Sequence, residues 1–162
     1  VAKKAAVAKK ASPAKKAPAR KAAGKGPRVP MGEADLFRVR ARKRVPFEFV
    51  LDELDELAPE TRPMFGCLAV YTGERIVMIL RERPSAPHDN GVWLATTADH
   101  HASLRAEFPS LRSITVLGDG VTGWQILPAE ADDFEESVLR ACALVRRGDP
   151  RIGKVPASRR KR

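Results

Sequence analysis

The chain has 162 residues, of which 43% are hydrophobic, and carries a formal net charge of +10. Residues 1–30 contain ten Lys and Arg residues and no acid, whereas residues 31–158 hold 16 basic residues and all 20 acidic ones. This distribution excludes a uniformly basic domain, because the net positive charge belongs to the two ends of the chain. No apolar run approaches the ~20 residues that span a bilayer, so we expect no membrane partner.

Residues 1–30 are predicted to form a disordered basic tail rich in Lys, Ala and Pro. Their apolar surface is too small to offset the chain entropy lost on folding, and Pro13, Pro18 and Pro27 interrupt any long helix. The composition resembles the lysine-rich tails of linker histones and of bacterial histone-like proteins. Residues 31–44 are predicted to be a basic linker, and residues 151–162 a basic C-terminal tail.

The tails predict binding to DNA without sequence preference. Each Lys or Arg that meets a phosphate releases a counterion, so such binding weakens steeply with salt. The alternative is that the charge serves solubility or targeting. The predicted nucleic-acid-binding residues are Lys3, Lys4, Lys9, Lys10, Lys15, Lys16, Arg20, Lys21, Lys25, Arg28, Arg159, Arg160, Lys161 and Arg162.

Residues 45–150 are predicted to form a single folded domain. A first helix is expected between Pro46 and Pro59, where apolar residues recur at helical spacing. Two strands at 64–71 and 76–80 are expected to form a hairpin across residues 72–75, and a third strand is expected at 91–96. Thr96 and Asp99 match a capping box that would open a second helix through Phe108.

A second hairpin is expected from strands at 114–117 and 124–127, joined by the Gly-rich residues 118–123. The last helix is expected to begin near Asp132 and to end at Gly148. The fold class is therefore α+β: a two-layer domain with an antiparallel five-stranded sheet, helices on one face and the order α-β(3)-α-β(2)-α.

One short motif resembles a known family. The run Arg-Pro-Met-Phe-Gly at residues 62–66, followed by Tyr71 and the hairpin at Gly73, resembles the start of the TfoX N-terminal domain family. The run Trp-Gln-Ile-Leu-Pro at residues 124–128, before an acidic helix start, is similar to the close of that family. The resemblance covers residues 62–147. It implies an α-β(3)-α-β(2)-α fold similar to that of secretion chaperones, and a connection with bacterial competence regulation.

We find no catalytic constellation and predict a protein that is not an enzyme and holds no cofactor or metal. Residues 118–123 satisfy the G-x-G-x-x-G pattern, but a strand rather than a helix is expected to follow them, so a hairpin turn explains the glycines better. His100 and His101 are adjacent on a helix, about 100° apart, and cannot easily face one ion. Cys67 and Cys142 are interpreted as small buried thiols.

A possible partner surface surrounds the Pro-bounded loop at residues 84–90. It comprises Arg81, Arg83, His88 and Asn90, beside Trp93. Arginine, histidine and tryptophan in loops are common at binding surfaces. The alternative is an ordinary polar loop with Trp93 in the core.

The predicted function is that of a non-enzymatic DNA-associated accessory or regulatory protein of the bacterial cytoplasm, held at the nucleoid by its tails. In this hypothesis the TfoX-like domain binds a protein partner. The alternative is a protein-interaction module with a chaperone-like fold and no role on DNA.

Overall fold

The computed structural model describes residues 44–157. All of the predicted nucleic-acid-binding residues, from Lys3 to Arg28 and from Arg159 to Arg162, lie outside the described part of the chain. So does nearly all of the predicted linker at 31–44. Across residues 44–157, no helix combines the length and the apolar character needed to cross a membrane.

The described residues form three α-helices and a six-stranded antiparallel sheet, which confirms the predicted α+β class. In chain order the elements are α1 (Phe49–Glu53), β1 (Glu60–Met64), β2 (Cys67–Thr72), β3 (Arg75–Arg81), β4 (Gly91–Ala95), α2 (Ala98–Glu107), β5 (Arg112–Ser113), β6 (Trp124–Pro128) and α3 (Phe134–Arg146). The strand order across the sheet is β1-β2-β3-β4-β6-β5. Strands β3 and β4 therefore lie at its centre.

The sheet has one strand more than the sequence predicted, because the expected strand at 64–71 is interrupted by a turn. Phe65 and Gly66 have φ angles of 50° and 73°. Positive φ at both positions is typical of the type I′ turn that joins tightly paired antiparallel strands. The turn pairs β1 with β2, and Met64 faces Cys67 across it. Strand β1 escaped prediction because four of its five residues are exposed and show no apolar alternation.

Alternate residues of the strands point to opposite faces of the sheet and build two separate apolar clusters. On one face, strand residues such as Met78 and Leu94 pack against Val50 of α1, Leu104 of α2 and Val138 of α3. The other face carries Ala69, Tyr71, Ile76, Ile79, Trp93, Ala95, Ile114 and Ile126. All three helices thus cover one face, as predicted, and the second is called the helix-free face below.

Two sequence predictions around α2 and β5 are wrong. The N-cap of α2 is Thr97, which makes no side-chain capping hydrogen bond, so the capping box does not form. Residues 114–117 are not a strand, and β5 is only Arg112–Ser113. The backbone N–H groups of Thr115 and Val116 donate to the carboxylate of Asp89 instead of to a neighbouring strand.

The C-terminal boundary of the domain lies beyond the predicted residue 150. Ile152 is buried in the helix-side core, and Lys154 forms an antiparallel backbone bridge with Ile76 of β3. Gly148, at φ 70°, ends α3 as predicted, because glycine adopts this left-handed conformation without steric cost. Residues 151–154 are therefore part of the folded unit.

Candidate binding cleft

The helix-free face contains a cleft of about 250 Å³ at the end of the sheet where β1 turns into β2. Its floor includes Cys67 of β2, Ile79 and Arg81 of β3 and Trp93 of β4. One wall is the turn at Phe65, and the opposite wall is formed by Val116 and Leu117 of the segment that follows β5. Parts of the chain that are distant in sequence thus build one concavity.

The walls of the cleft expose apolar side chains to solvent. Phe65 is 85% exposed, Leu117 is 59% exposed and Val116 is 44% exposed. Phe65 also lies in left-handed backbone that a bulky residue adopts only at a cost, of about 1–2 kcal/mol. Exposed apolar residues grouped at the rim of a concavity are characteristic of binding surfaces.

The floor of the cleft contains a buried positive charge. Arg81 is only 3% exposed. Its Nη1 donates to the side-chain oxygen of Asn90 at 2.6 Å and to the carbonyl of Ala86 at 3.2 Å, and its Nη2 donates to the carbonyl of Ser85 at 2.7 Å. All three acceptors are neutral. No carboxylate among residues 44–157 pairs with Arg81, although buried charges in proteins are normally paired.

Asn90 joins the two arginines of this region. Its Oδ1 accepts from Arg81 and from the backbone N–H of Arg83, and its Nδ2 donates to the carbonyl of Arg83 at 2.8 Å. Nη1 of Arg83 donates in turn to the carbonyl of Phe65 at 2.8 Å. This chain of hydrogen bonds ties the buried guanidinium to the exposed aromatic rim.

Asp89 holds the opposite wall in place. Its fully buried carboxylate accepts from Nη1 of Arg112 at 2.9 Å and from the backbone N–H groups of Thr115 and Val116 at 2.9 and 2.7 Å. Burial acts to raise the pKa of Asp89, but these hydrogen bonds outweigh burial and keep the pKa below its usual value. The ion pair between Asp89 and Arg112 therefore fixes the segment that carries Val116 and Leu117.

Two tryptophans and two cations lie side by side on the helix-free face. The rings of Trp93 and Trp124 have centroids 6.3 Å apart. The guanidinium of Arg81 lies 6.0 Å from the Trp93 ring, and Nζ of Lys154 lies 4.2 Å from the Trp124 ring. Burial lowers the pKa of Lys154 from its ordinary value. These contacts place two positive charges beside apolar aromatic surface on one face of the sheet.

The two cysteines occupy different environments. Cys142 is fully buried on the helix side, and burial raises its pKa to about 12. The prediction that Cys67 is a buried thiol is wrong, since it is half-buried at the cleft floor. Burial raises the pKa of Cys67, while the nearby charges of Arg81 and Arg83 oppose the shift. The thiol is therefore accessible but is not activated as a thiolate.

The histidines and the Gly-rich run that the sequence singled out do not line the cleft. In the described part of the chain, no three His, Cys, Asp or Glu side chains are grouped closely enough to hold a metal ion. His101 is buried on α2, 3.4 Å from the side-chain amide nitrogen of Gln125, outside the cleft. The Gly-rich residues 118–123 lead into β6, so no helix N-terminus is available there for a phosphate.

Of the four residues predicted as a partner surface, the structure brings three together. Arg81, Arg83 and Asn90 form the hydrogen-bonded floor and edge of the cleft. His88 is exposed and lies apart, with Nε2 at 2.6 Å from the hydroxyl of Thr115. Trp93 is buried, as one alternative expected, and it also lines the cleft; a partner surface at this loop stays a prediction.

Sequence reasoning missed Phe65 and Leu117 as cleft residues. A Phe-Gly pair between two apolar runs was a usable signal for Phe65, because a two-residue turn exposes its first side chain. Leu117 gave no comparable signal, since the predicted strand at 114–117 assigned it to the sheet.

Comparisons with protein-family models, curated proteins and solved structures found no match to this chain. The resemblance to the TfoX N-terminal domain stays a prediction.

Proposed function

We propose that this protein is a non-enzymatic accessory protein that associates with DNA through its basic ends and binds a partner through its folded domain. The observation that carries the proposal is the segregation of charge along the chain. Residues 1–30 hold ten basic residues and no acid, and the last four residues are all basic. Such stretches attract polyanions, and duplex DNA is the polyanion of the bacterial cytoplasm that fits binding without sequence preference.

The cleft on the helix-free face supports the second half of the proposal. Its walls carry exposed apolar side chains, and its floor carries the buried Arg81. A partner could therefore make both apolar and electrostatic contacts with this surface. Kinship with the TfoX N-terminal domain family is part of the same proposal. The order of helices and strands supports it, with β1 as an addition to the implied fold.

The proposal is tested by gel shift of the full chain on duplex DNA across a series of salt concentrations. The slope of the logarithm of the binding constant against the logarithm of salt is about −0.9 per phosphate contacted. Replacing the ten basic residues of 1–30 by Gln is expected to flatten this slope and to weaken binding severely. The matched control keeps the composition of residues 1–30 but scrambles their order, and it should bind DNA as the original does.

Retention of full DNA affinity by the Gln variant would contradict the assignment of binding to the N-terminal tail. Loss of affinity in the scrambled control would contradict binding without dependence on tail sequence.

A protein-interaction module with no role on DNA is the second candidate. The exposed Phe65 and Leu117 at the cleft favour it, since apolar rims of this kind also receive protein segments. This candidate predicts that the full chain does not shift duplex DNA at about 0.15 M salt, so the same gel-shift series separates the two functions.

A further inference from the structure

We propose that the cleft on the helix-free face binds a small organic carboxylate, with the anionic group on Arg81 and an apolar body against Trp93 and the cleft walls. This inference names a small molecule as the partner that the proposed function assigns to the cleft, and it does not depend on whether the tails bind DNA.

The hydrogen bonding of Arg81 leaves room for a ligand. A guanidinium has five N–H donors. Two on Nη1 are used by Asn90 and Ala86, and one on Nη2 is used by Ser85. The Nε–H and the second Nη2–H have no acceptor among residues 44–157. A carboxylate is the group that matches two neighbouring guanidinium donors in one plane.

The charges around the cleft also favour a bound anion. Asp89, the buried carboxylate of the adjoining loop, already pairs with Arg112 at 2.9 Å. Arg81 keeps its charge 97% buried beside neutral acceptors, and Arg83 adds a second cation at the edge. A bound anion would supply the missing partner, and the low-dielectric floor would strengthen the pair relative to one in water.

The size and lining of the cleft define the rest of the ligand. A volume of about 250 Å³ lies below the usual range for drug-sized ligands, which begins at about 300 Å³. Ile79, Trp93 and Leu117 offer apolar contacts on the floor and on one wall. The ligand is therefore a compact acid, smaller than a typical drug. An inorganic anion such as phosphate would leave this apolar surface uncovered.

Phenylacetate is a suitable probe, and phenylacetamide is its neutral control of nearly equal shape. The two tryptophans of the chain, Trp93 and Trp124, both line the cleft, so their fluorescence reports on its occupancy. In the full chain at about 0.15 M salt, phenylacetate is expected to change this fluorescence saturably and to bind at least tenfold more tightly than phenylacetamide. Acetate, which lacks the apolar body, is expected to bind at least tenfold more weakly than phenylacetate.

Equal affinity for phenylacetate and phenylacetamide would overturn the role of Arg81. No saturable response to phenylacetate would overturn the proposed site. Equal affinity for acetate would overturn the role of the apolar walls.

A matched pair of variants locates the binding without disturbing Arg81. Leu117→Glu places a negative charge on the cleft wall, whereas Leu139→Glu makes the same change on α3, away from the cleft. Leu117→Glu is expected to weaken phenylacetate binding at least tenfold, and Leu139→Glu is expected to leave it unchanged. Equal effects of the two variants would place the binding elsewhere on the protein.

Arg81→Gln tests the anion contact directly. Circular dichroism first checks that the variant is folded, and the expected result is the loss of preference for phenylacetate over phenylacetamide. A folded variant that keeps the tenfold preference would refute the proposal. If Arg81→Gln does not fold, the Leu117→Glu and Leu139→Glu pair still decides the outcome.

Discussion

The two faces of this sheet are built from the same strands but differ in what covers them. On the helix-covered face, residues such as Met78, Leu80 and Leu94 are fully buried under three helices. On the helix-free face, their neighbours in sequence include Ile79, Arg81 and Trp93, which open onto a solvent-facing cleft. Because side chains alternate along a strand, one segment contributes to the buried core on one face and lines the cleft on the other.

The charges beside the tryptophans differ from the net charge of the domain. Exposed acids such as Asp55, Glu56 and Glu135 lie on the elements of the helix-covered side. The helix-free face instead carries Arg81 and Lys154 over its tryptophans. A domain that is acidic overall thus carries two cations against the aromatic rings of its helix-free face, and its net charge does not describe that face.

The largest expected difference between the faces comes from removing one phenylalanine from each. Phe108 is fully buried in the helix-side core, and Phe108→Ala is expected to lower the free energy of unfolding by about 3–5 kcal/mol. Phe65 is 85% exposed, and Phe65→Ala is expected to change it by less than about 0.5 kcal/mol. Urea unfolding followed by circular dichroism measures both values. Similar losses from the two variants would contradict the division of roles between the faces.

The second-largest effect is expected at Asp89, and it tests whether a residue beside the cleft also stabilises the fold. Asp89→Asn removes a buried charge that pairs with Arg112 and organises the wall of the cleft. We expect this substitution to lower the free energy of unfolding by about 3 kcal/mol, because the charge of Arg112 is left without its partner. Asp119→Asn, an exposed change in the segment between β5 and β6, is the control and should have little effect. The same urea titration checks both, and an Asp89→Asn variant as stable as the control would contradict the prediction.

Acid should destabilise both sides of the sheet. The pKa of Asp149, on the helix side, is lowered to about 2 by its hydrogen bonds from Arg151, and the pKa of Asp89 also lies below its usual value. Both carboxyls bind protons less readily in the folded state. Their stabilisation is present above the ordinary carboxyl pKa of about 4 and is lost as the pH falls through the lowered pKa of each group, which is about 2 for Asp149.

For Asp149 alone this linkage amounts to about 2 kcal/mol. Thermal unfolding between pH 5 and pH 2 measures it, and Asp149→Asn should show a shallower loss of stability over that range. An unchanged pH profile in this variant would contradict the assignment to Asp149.

The smallest expected effect is a difference in labelling between the two cysteines of the unsubstituted protein. Cys67 is half-buried on the helix-free face, whereas Cys142 is fully buried on the helix side. A maleimide at neutral pH is expected to label Cys67 in the folded protein and Cys142 only after denaturation. Mass spectrometry after proteolysis identifies the labelled thiol. Labelling of both at equal rates under native conditions would show that the two faces do not differ in accessibility.

The sequence predicted those parts of the fold whose contacts are local. The final helix was predictable because Phe134, Val138, Cys142 and Val145 recur at helical spacing before Gly148. The hairpin between β2 and β3 was predictable from the glycine between two apolar runs. In both cases, neighbouring residues determine the backbone conformation.

The failures involve contacts between distant parts of the chain. Residues 114–117 have a strand-like sequence, but Asp89, about 26 residues away, takes the backbone N–H groups that a strand would use. The cleft could not be predicted as a unit because it joins a turn, residues of β2, β3, β4 and β6, and a loop. Arg81 was identified as a candidate, but its burial and its lack of an acidic partner within residues 44–157 depend on the folded structure.

The bridge between Ile76 and Lys154 has a mechanical consequence. Two backbone hydrogen bonds, each 3.0 Å long, join these residues, and the N–H of Gly153 donates to the carbonyl of Ala95 on β4. A force applied at the C-terminus is therefore transmitted to the two central strands of the sheet, β3 and β4, and does not detach an edge strand. Tension on that end would be borne by the part of the sheet with neighbours on both sides.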